Sequence, residues 1–357
     1  MSTDTIRVGV IGAGANSRRR HIPGLQAQEG VEVVAVANRT VASGESAARE
    51  FDIPNVYDDW MEIIDHDEID AVCIGTWPYM HCPTTLAALD AGQHVLVEAR
   101  MAMNSLEAHT MLEASRASPG LIAQVVPAPH TLPVDPTIIE LINDGYIGEL
   151  VSVRAQIATA SGFPDWDGPL HWRHDRDLSG NNIMTMGIWY EALMRWVGPA
   201  VEVAAMGQVT VAHRNDAEGR RRVITVPDHV DILCKMAAGG QASIGVTVAS
   251  GLAPGPSVGV SIHGTEGTLY VVQTGAGGPG PELMGGRRGD PELKTIEISE
   301  ERRGGWRVEE EFINAIRGIE PVTHTTFTDG VKYMEFTDAV SRAMRPGEPV
   351  KLPLEHD

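Results

Sequence analysis

Short apolar runs punctuate the first third of the chain, at Ile6–Ile11, Val31–Ala37, 71–75, 94–98 and 121–126. Each is too short for a buried helix and reads as a buried strand. Between them, 82–91 and 105–115 carry apolar residues at helical spacing. Asn104 followed by Glu107 predicts a helix start, because the Asn side chain accepts an orphan amide while Glu reaches back. Strand–helix alternation of this kind predicts a parallel sheet with helices on both faces.

Beyond about residue 125 the pattern changes. Longer β-type runs follow one another at 150–160, 201–213, 229–238, 241–250, 257–263 and 268–272, with helical patterns at 184–197, 309–317 and 333–344. Val134-Asp135-Pro136 opens one more helix, with Asp135 as its expected cap. Strands without intervening helices favour a mostly antiparallel sheet. The stretch 274–290 is dense in Gly and Pro and reads as a surface loop. The expected organisation is an α/β domain over 1–125, then an α+β domain with an open, mostly antiparallel sheet over 126–357.

With 357 residues the chain is long enough for two cores. It sets 28 Lys+Arg against 48 Asp+Glu, a net charge of −20, which argues against nucleic-acid and anionic-membrane partners. No apolar run is long enough to span a bilayer. Three cysteines form no CxxC pair, and with a strand pattern from Ile6 no signal peptide is expected after the start MSTDT. A cytoplasmic location is expected. None of the four lysines (Lys235, Lys294, Lys332 and Lys351) lies in the first 234 residues, so no amine is available there for chemistry.

Gly12-Ala13-Gly14-Ala15-Asn16-Ser17 follows the first strand and opens a helix. Gly12 permits a tight turn, Gly14 lets backbone approach a pyrophosphate, and Ser17 is small enough to pack helix on sheet. The next strand ends in Asn38-Arg39-Thr40, where an acid would bond a ribose diol. These three side chains suit a 2′-phosphate, and Arg18, Arg19 and Arg20 add positive potential, so NADP is favoured, with NAD as the alternative.

The chain resembles the Gfo/Idh/MocA oxidoreductases along nearly its whole length. The resemblance runs through the Gly12 turn with His21-Ile-Pro23, Asp70 to Thr76 with His81, Ala91-Gly92 to Glu98, Ile147-Gly148-Glu149-Leu150, Gly180 to Gly198, His263-Gly264-Thr265-Glu266-Gly267, and Phe312 to Gly318. It implies a Rossmann domain joined to an antiparallel sheet domain, and a homo-dimer or homo-tetramer. It also implies nicotinamide-dependent oxidation or reduction of a sugar, cyclitol or related polyol. Cofactor contacts are expected from Gly12, Ala13, Gly14, Ala15, Asn16, Asn38, Arg39, Thr40, Thr76, Trp77, His81 and Glu98.

The departures bear on mechanism. The family's Glu-Lys-Pro reads Glu98-Ala99-Arg100, and its Asp-x-Gly-x-His-x-x-Asp reads Thr185-Met186-Gly187-Ile188-Trp189-Tyr190-Glu191-Ala192. The resemblance therefore implies that Ala99, Thr185, Trp189 and Ala192 replace a lysine, a histidine and two acids. Arg100 cannot titrate, but it can orient an anion or stabilise an oxyanion. His174 beside Asp175, Tyr190, and His81 at a strand end are the candidates for proton chemistry, with His130 behind them. Against each stands a plain structural task, a polar loop or helix packing. His171-x-x-His174 is a weak metal motif, and no metal is expected. Trp166, Trp172 and Trp189 offer stacking surfaces, whereas Trp196 reads as core. Two further readings stay open. One is a redox-neutral lyase or glycoside hydrolase holding a nicotinamide for transient oxidation. The other is a non-catalytic dinucleotide sensor.

Overall fold

The computed structural model describes residues 5–158, 163–181, 183, 185–248, 251, 257–273, 280–345 and 347–355. The expected strand ends at Ala160 and Ser250, the helix start at Met184 and the loop residues 274–279 lie outside them. The chain divides into two units, one of residues 1–127 and 307–331, the other of 128–306 and 332–357. The first unit therefore takes back a segment that the sequence reading placed in a contiguous second domain.

In the first unit, β1 (Ile6–Ile11), β2 (Val31–Ala37), β3 (Asn55–Tyr57), β4 (Ala71–Ile74), β5 (His94–Val97) and β6 (Ala123–Val125) form one sheet in the order β3-β2-β1-β4-β5-β6. Every pairing is parallel. Helices α1 (Ile22–Gln26), α2 (Val41–Phe51), α3 (Met61–Ile64), α4 (His81–Asp90) and α5 (Ser105–Ala117) are the crossovers. This strand order reverses direction between β1 and β4, and such a switch point opens a crevice at the strand ends. The α5 start is as expected: Asn104 accepts the Glu107 amide at 2.9 Å. Glu107 reaches back one residue further, to the Met103 N–H.

The second unit begins with α6 (Asp135–Asn143), β7 (Leu150–Ala158), α7 (Arg176–Ser179) and α8 (Met186–Val197). The strands β8 (Ala200–Gln208), β9 (His213–Asn215), β10 (Arg221–Val223), β11 (His229–Met236), β12 (Gln241–Thr247), β13 (Val258–Gly264), β14 (Gly267–Gln273), β15 (Glu282–Arg287) and β16 (Lys294–Thr295) follow. After α9 (Val308–Ile316) and α10 (Phe327–Ala343), β17 (Val350–Lys351) closes the order β16-β15-β14-β13-β7-β12-β11-β8-β17. Only β7 with β12 is parallel in that sheet. β9 and β10 make a separate hairpin.

Three local expectations are corrected. The run 201–213 breaks after Gln208, where Asp228 accepts the Thr210 and Val211 amides and turns the chain. The Gly/Pro-rich stretch holds β15, which pairs with β14 from Val272 back to Gly267. Val134, not Asp135, is the cap of α6. The Asp135 carboxylate is buried instead, accepting from Trp196 Nε1 at 2.7 Å and pairing with Arg195 at 2.8 Å.

The segment that returns to the first unit is anchored through Glu311 on α9. Its buried carboxylate accepts from Gln124 Nε2 at 2.9 Å, from the Thr323 N–H at 3.0 Å and from the Thr323 hydroxyl. Val125 and Thr325 exchange backbone hydrogen bonds at 3.0 Å in each direction, so the segment lies along the β6 edge.

Candidate functional site

The turn after β1 closes on the end of β4. Gly12 has φ +91°, and a Cβ there would lie 2.7 Å from the Thr76 nitrogen. Conformation and space both require glycine. Gly14 is open: a Cβ would meet nothing nearer than the Gly75 oxygen at 3.6 Å. Ser17 is buried, and its hydroxyl donates to the Gly12 carbonyl at 2.9 Å. A Cβ on Gly75 would overlap that hydroxyl.

Over this turn lies a cleft of about 480 Å³. Its walls include Gly12, Ala13 and Gly14, then Asn38, Arg39 and Thr40 at the end of β2, and Thr76 and Trp77 after β4. Arg18, expected to add positive potential there, lines it as well, as do Ser43, Asp58, Trp60, Tyr79 and Met80, which the sequence did not single out. The ends of β3 and α2 place Asp58, Trp60 and Ser43, and the parallel order alone would have pointed there.

Asn38 Oδ1 accepts the Ala13 amide at 2.6 Å. That fixes the carboxamide and leaves Nδ2 as a donor. Arg39 lies over the Trp77 ring, 4.9 Å from its centroid. Thr40 caps α2 by accepting the Ser43 amide, so helix N-terminal amides adjoin the same wall. Thr76 Oγ1 is buried without a hydrogen-bond partner among the described residues. An open glycine cradle, cationic side chains, an unused hydroxyl and flat rings fit a dinucleotide.

Four expected cofactor residues are not among the described lining: Ala15, Asn16, Glu98 and His81. Ala15 is exposed at the start of the helical segment that runs through a π-helical turn at Ser17–His21 into α1. The other three belong to buried networks. His21 is fully buried, with Nε2 2.9 Å from Glu98 Oε1 and Nδ1 2.6 Å from Glu309 Oε1. Asn16 Nδ2 donates to Glu98, as does the Ala99 amide at 3.0 Å. Burial alone would lower the His21 pKa, but the two carboxylates outweigh it and hold it at about 9. Burial would likewise raise Glu98, and the hydrogen bonds from His21 and Asn16 hold it below its usual range.

His81 is fully buried between two carbonyls, Nδ1 at 2.8 Å from Arg100 O and Nε2 at 3.0 Å from Thr76 O. Burial pulls its pKa down against those carbonyls. The ring clamps the loops after β4 and β5 and has no nitrogen left for a substrate. Arg100 is only 2 % exposed.

In the second unit the expected proton donors meet different fates. Tyr190 is 2 % exposed; its ring stacks on Phe336 at 3.5 Å and its hydroxyl oxygen accepts the Ala200 amide at 2.8 Å. Burial raises its pKa. It is a core residue. Asp175 does not polarise His174; its carboxylate accepts the Asp177 amide and caps α7. His174 Nδ1 accepts the His171 N–H at 3.2 Å, so the neutral ring carries its proton on Nε2. Burial and then the nearby Arg214 push its pKa down to about 4. His171 Nδ1 accepts the Arg173 N–H. Trp189 is buried against His130, ring centroids 5.1 Å apart, and Trp196 is also buried, as expected. Glu191 takes Arg195 in two hydrogen bonds, at 2.7 and 2.9 Å.

Sequence comparison decides the family. Residues 6–125 match the model of the oxidoreductase family with an NAD-binding Rossmann fold, and 137–270 match the GFO/IDH/MocA C-terminal domain. The chain belongs to the Gfo/Idh/MocA oxidoreductase family. Among its relatives, dTDP-3,4-didehydro-2,6-dideoxy-alpha-D-glucose 3-reductase of Streptomyces antibioticus is 30 % identical over 64 % of this chain and 66 % of its own length. Levoglucosan dehydrogenase of Pseudarthrobacter phenanthrenivorans is 26 % identical, over 67 % of this chain and 64 % of its own. The matches thus span a little under two thirds of each of these relatives. A solved levoglucosan dehydrogenase, in complex with NADH and L-sorbose, superposes with TM-score 0.84 at 22 % identity, covering 98 % of this chain and 99 % of that one. An oxidoreductase domain protein from Kribbella flavida gives 0.85 at 20 %, over 99 % and 100 %. This Gfo/Idh/MocA protein therefore shares their fold: a parallel six-stranded Rossmann sheet and a mixed, mostly antiparallel second sheet.

Proposed function

We propose that the protein is an NADP(H)-dependent dehydrogenase or reductase of a carbohydrate, cyclitol or related polyol, with NAD(H) as the weaker cofactor. The observation that carries the cofactor choice is the end of β2. Asn38 spends its oxygen on Ala13 and presents an amide donor, beside Arg39, Thr40 and the start of α2. Donors without a carboxylate at that position favour a 2′-phosphate over a bare diol. The names of the two curated relatives, a dTDP-sugar reductase and levoglucosan dehydrogenase, support the substrate class.

Bound nicotinamide supplies hydride acceptance or donation at the substrate carbon. The chain's own residues do the rest. Gly12 and Gly14 keep side chains away from the pyrophosphate, Asn38 and Arg39 hold the adenosine end, and Trp77 keeps the Arg39 guanidinium at the cleft. In the second unit, Thr185 Oγ1 at the start of α8 is buried without a partner among the described residues, and suits a substrate hydroxyl. Each unit keeps its own candidate: His174 in the second carries a fixed Nε2–H that suits a proton donor, and Arg100 in the first carries a permanent positive charge that suits an anion. The same reading carries a cytoplasmic dimer or tetramer, which sedimentation would measure.

The test is fluorescence titration of the purified protein with NADPH and NADH. NADPH is expected to bind at least tenfold more tightly. Arg39→Ala is expected to lose about 1.5–3 kcal/mol of NADPH binding, roughly 10- to 150-fold, while NADH affinity stays. Binding of neither dinucleotide would overturn the reading. Polyols, sugar acids and ketones, screened by reduced-nicotinamide absorbance, then identify the substrate.

A further inference from the structure

Arg18 lines the cleft over the glycine turn, yet its guanidinium is already engaged. Nε donates to the Ala13 carbonyl at 3.2 Å, Nη2 to the Ser43 carbonyl at 3.2 Å, and Nη1 to the Glu50 carboxylate. Three of the five N–H groups of the guanidinium are therefore spent on the protein. Glu50 offsets the positive potential expected from this arginine. Arg39 lies over Trp77 and makes no ion pair among the described residues, so it remains the phosphate-directed charge of the same wall.

What Arg18 holds is the turn itself. The turn is tied to the segment of β2 and α2 in three places. The Gly12 N–H donates to the Ala37 carbonyl at 2.8 Å, and the Ala13 N–H to Asn38 Oδ1 at 2.6 Å. Arg18 makes the third tie, from the Ala13 carbonyl to Ser43 and Glu50 on α2. The Gly14 N–H donates back to the Gly12 carbonyl at 2.9 Å. The amides of Gly12, Ala13 and Gly14 are thus spent, and the donors left to a phosphate are those that follow Gly14. The Arg18 N–H takes the Gly14 carbonyl at 3.0 Å, which fixes the direction of the Ala15 amide, because a trans peptide points its N–H opposite its C=O. The preceding peptide adjoins Gly14, which lacks a Cβ and permits rotation. The Arg18 side chain, bonded to the Ala13 carbonyl, removes that freedom.

We propose that Arg18 is a positioning residue for the dinucleotide and not a phosphate ligand. It sets the glycine turn, which takes the pyrophosphate, against the Asn38–Arg39–Thr40 wall, which takes the adenosine end. This rests on the dinucleotide reading above. A ligand that spans both parts gains from their preset spacing, whereas one that touches only the wall does not.

The experiment is isothermal titration calorimetry of wild type, Arg18→Lys and Arg39→Ala with NADPH, NADH and adenosine 2′-monophosphate, which has the adenosine and the 2′-phosphate but no pyrophosphate. Lysine keeps the charge and can still pair with Glu50, but it lacks Nε–H and the planar fork. The Arg18 and Glu50 side chains are 25 % and 50 % exposed, and a pair so exposed adds little to stability, so the variant is expected to fold. Arg18→Lys is expected to weaken NADPH and NADH alike, by about tenfold, the worth of one charge-assisted hydrogen bond. Its affinity for adenosine 2′-monophosphate is expected to stay within about twofold of wild type, whereas Arg39→Ala loses NADPH and the monophosphate together. A loss confined to NADPH would make Arg18 a phosphate ligand and overturn the proposal. So would an equal loss of the monophosphate, or no loss at all. Hydrogen exchange needs no dinucleotide: residues 12–18 are expected to lose protection in Arg18→Lys, and unchanged exchange there would also overturn the role of Arg18. A wild-type protein that binds neither dinucleotide would overturn the cofactor reading itself, whereas failure in the variant with wild-type binding intact overturns the role of Arg18 alone.

Discussion

His21 and Glu309 are 288 positions apart, and His21 Nδ1 lies 2.6 Å from Glu309 Oε1. The ring's other nitrogen holds Glu98 at the end of β5. One imidazolium thus ties the helix after the glycine turn to β5 and to the returning helix α9. Removing it strands two buried carboxylates. His21→Leu is expected to lower stability by about 3–5 kcal/mol, the usual cost of breaking a buried pair from one side. Urea denaturation of the two proteins measures it. A loss below about 1 kcal/mol would mean that the carboxylates find other partners.

The same group sets a pH dependence. Folding raises the His21 pKa from 6.5 to about 9, so its stabilisation is fully present below pH 6.5 and is lost as pH rises through 9. The displacement corresponds to roughly 3 kcal/mol. Glu98 works from the other side: folding lowers its pKa from 4.5, so its contribution is present above 4.5 and is lost as the pH falls. Unfolding free energies of wild type between pH 6 and 10 are expected to fall along this slope, and His21→Leu is expected to lack it. Parallel curves for the two proteins would remove His21 as the cause.

Much of the first unit was legible in the sequence because its strands are buried on both faces and read as continuous apolar runs. The glycine turn was equally legible, since Gly12 answers to a local constraint. β15 was not. Gly285 and Gly286 look like loop glycines, yet a Cβ at Gly285 would meet Ile296 at 2.6 Å and the Tyr146 hydroxyl at 2.8 Å, so glycine there makes room for side chains across the sheet. Tyr190 misled for another reason. α8 is buried nearly all round, and helical spacing cannot tell a core tyrosine from one facing a substrate. Glu309 carries no local signal, because only the fold brings it to His21.

Tyr190→Phe separates the two tasks. The substitution keeps the stack on Phe336 and removes only the acceptor of the Ala200 amide. An unsatisfied buried amide costs about 1–3 kcal/mol. Stability is expected to fall by that amount, while kcat per folded molecule is expected to stay within about twofold. A fall in kcat of two orders of magnitude with unchanged stability would restore Tyr190 as a proton donor.

Arg195 gives the second unit its own buried ion cluster. It pairs with Asp135 at 2.8 Å and with Glu191 at 2.7 Å, while Glu191 also accepts the Ala128 amide and Asp135 accepts from Trp196. α6 and α8 are held through these charges as well as through apolar contact. Arg195→Met keeps the volume and leaves two acids buried without a cation, so a loss of about 3–5 kcal/mol is expected. Adding Glu191→Gln and Asp135→Asn removes the stranded charges and is expected to restore part of that loss, because neutral amides can still bond to the backbone and to their neighbours. Wild type, Arg195→Met, Glu191→Gln/Asp135→Asn and the triple variant, compared by urea denaturation, close the cycle that gives the coupling. A triple variant less stable than Arg195→Met would show that the carboxylates act through their hydrogen bonds to Ala128 and Trp196 rather than through Arg195.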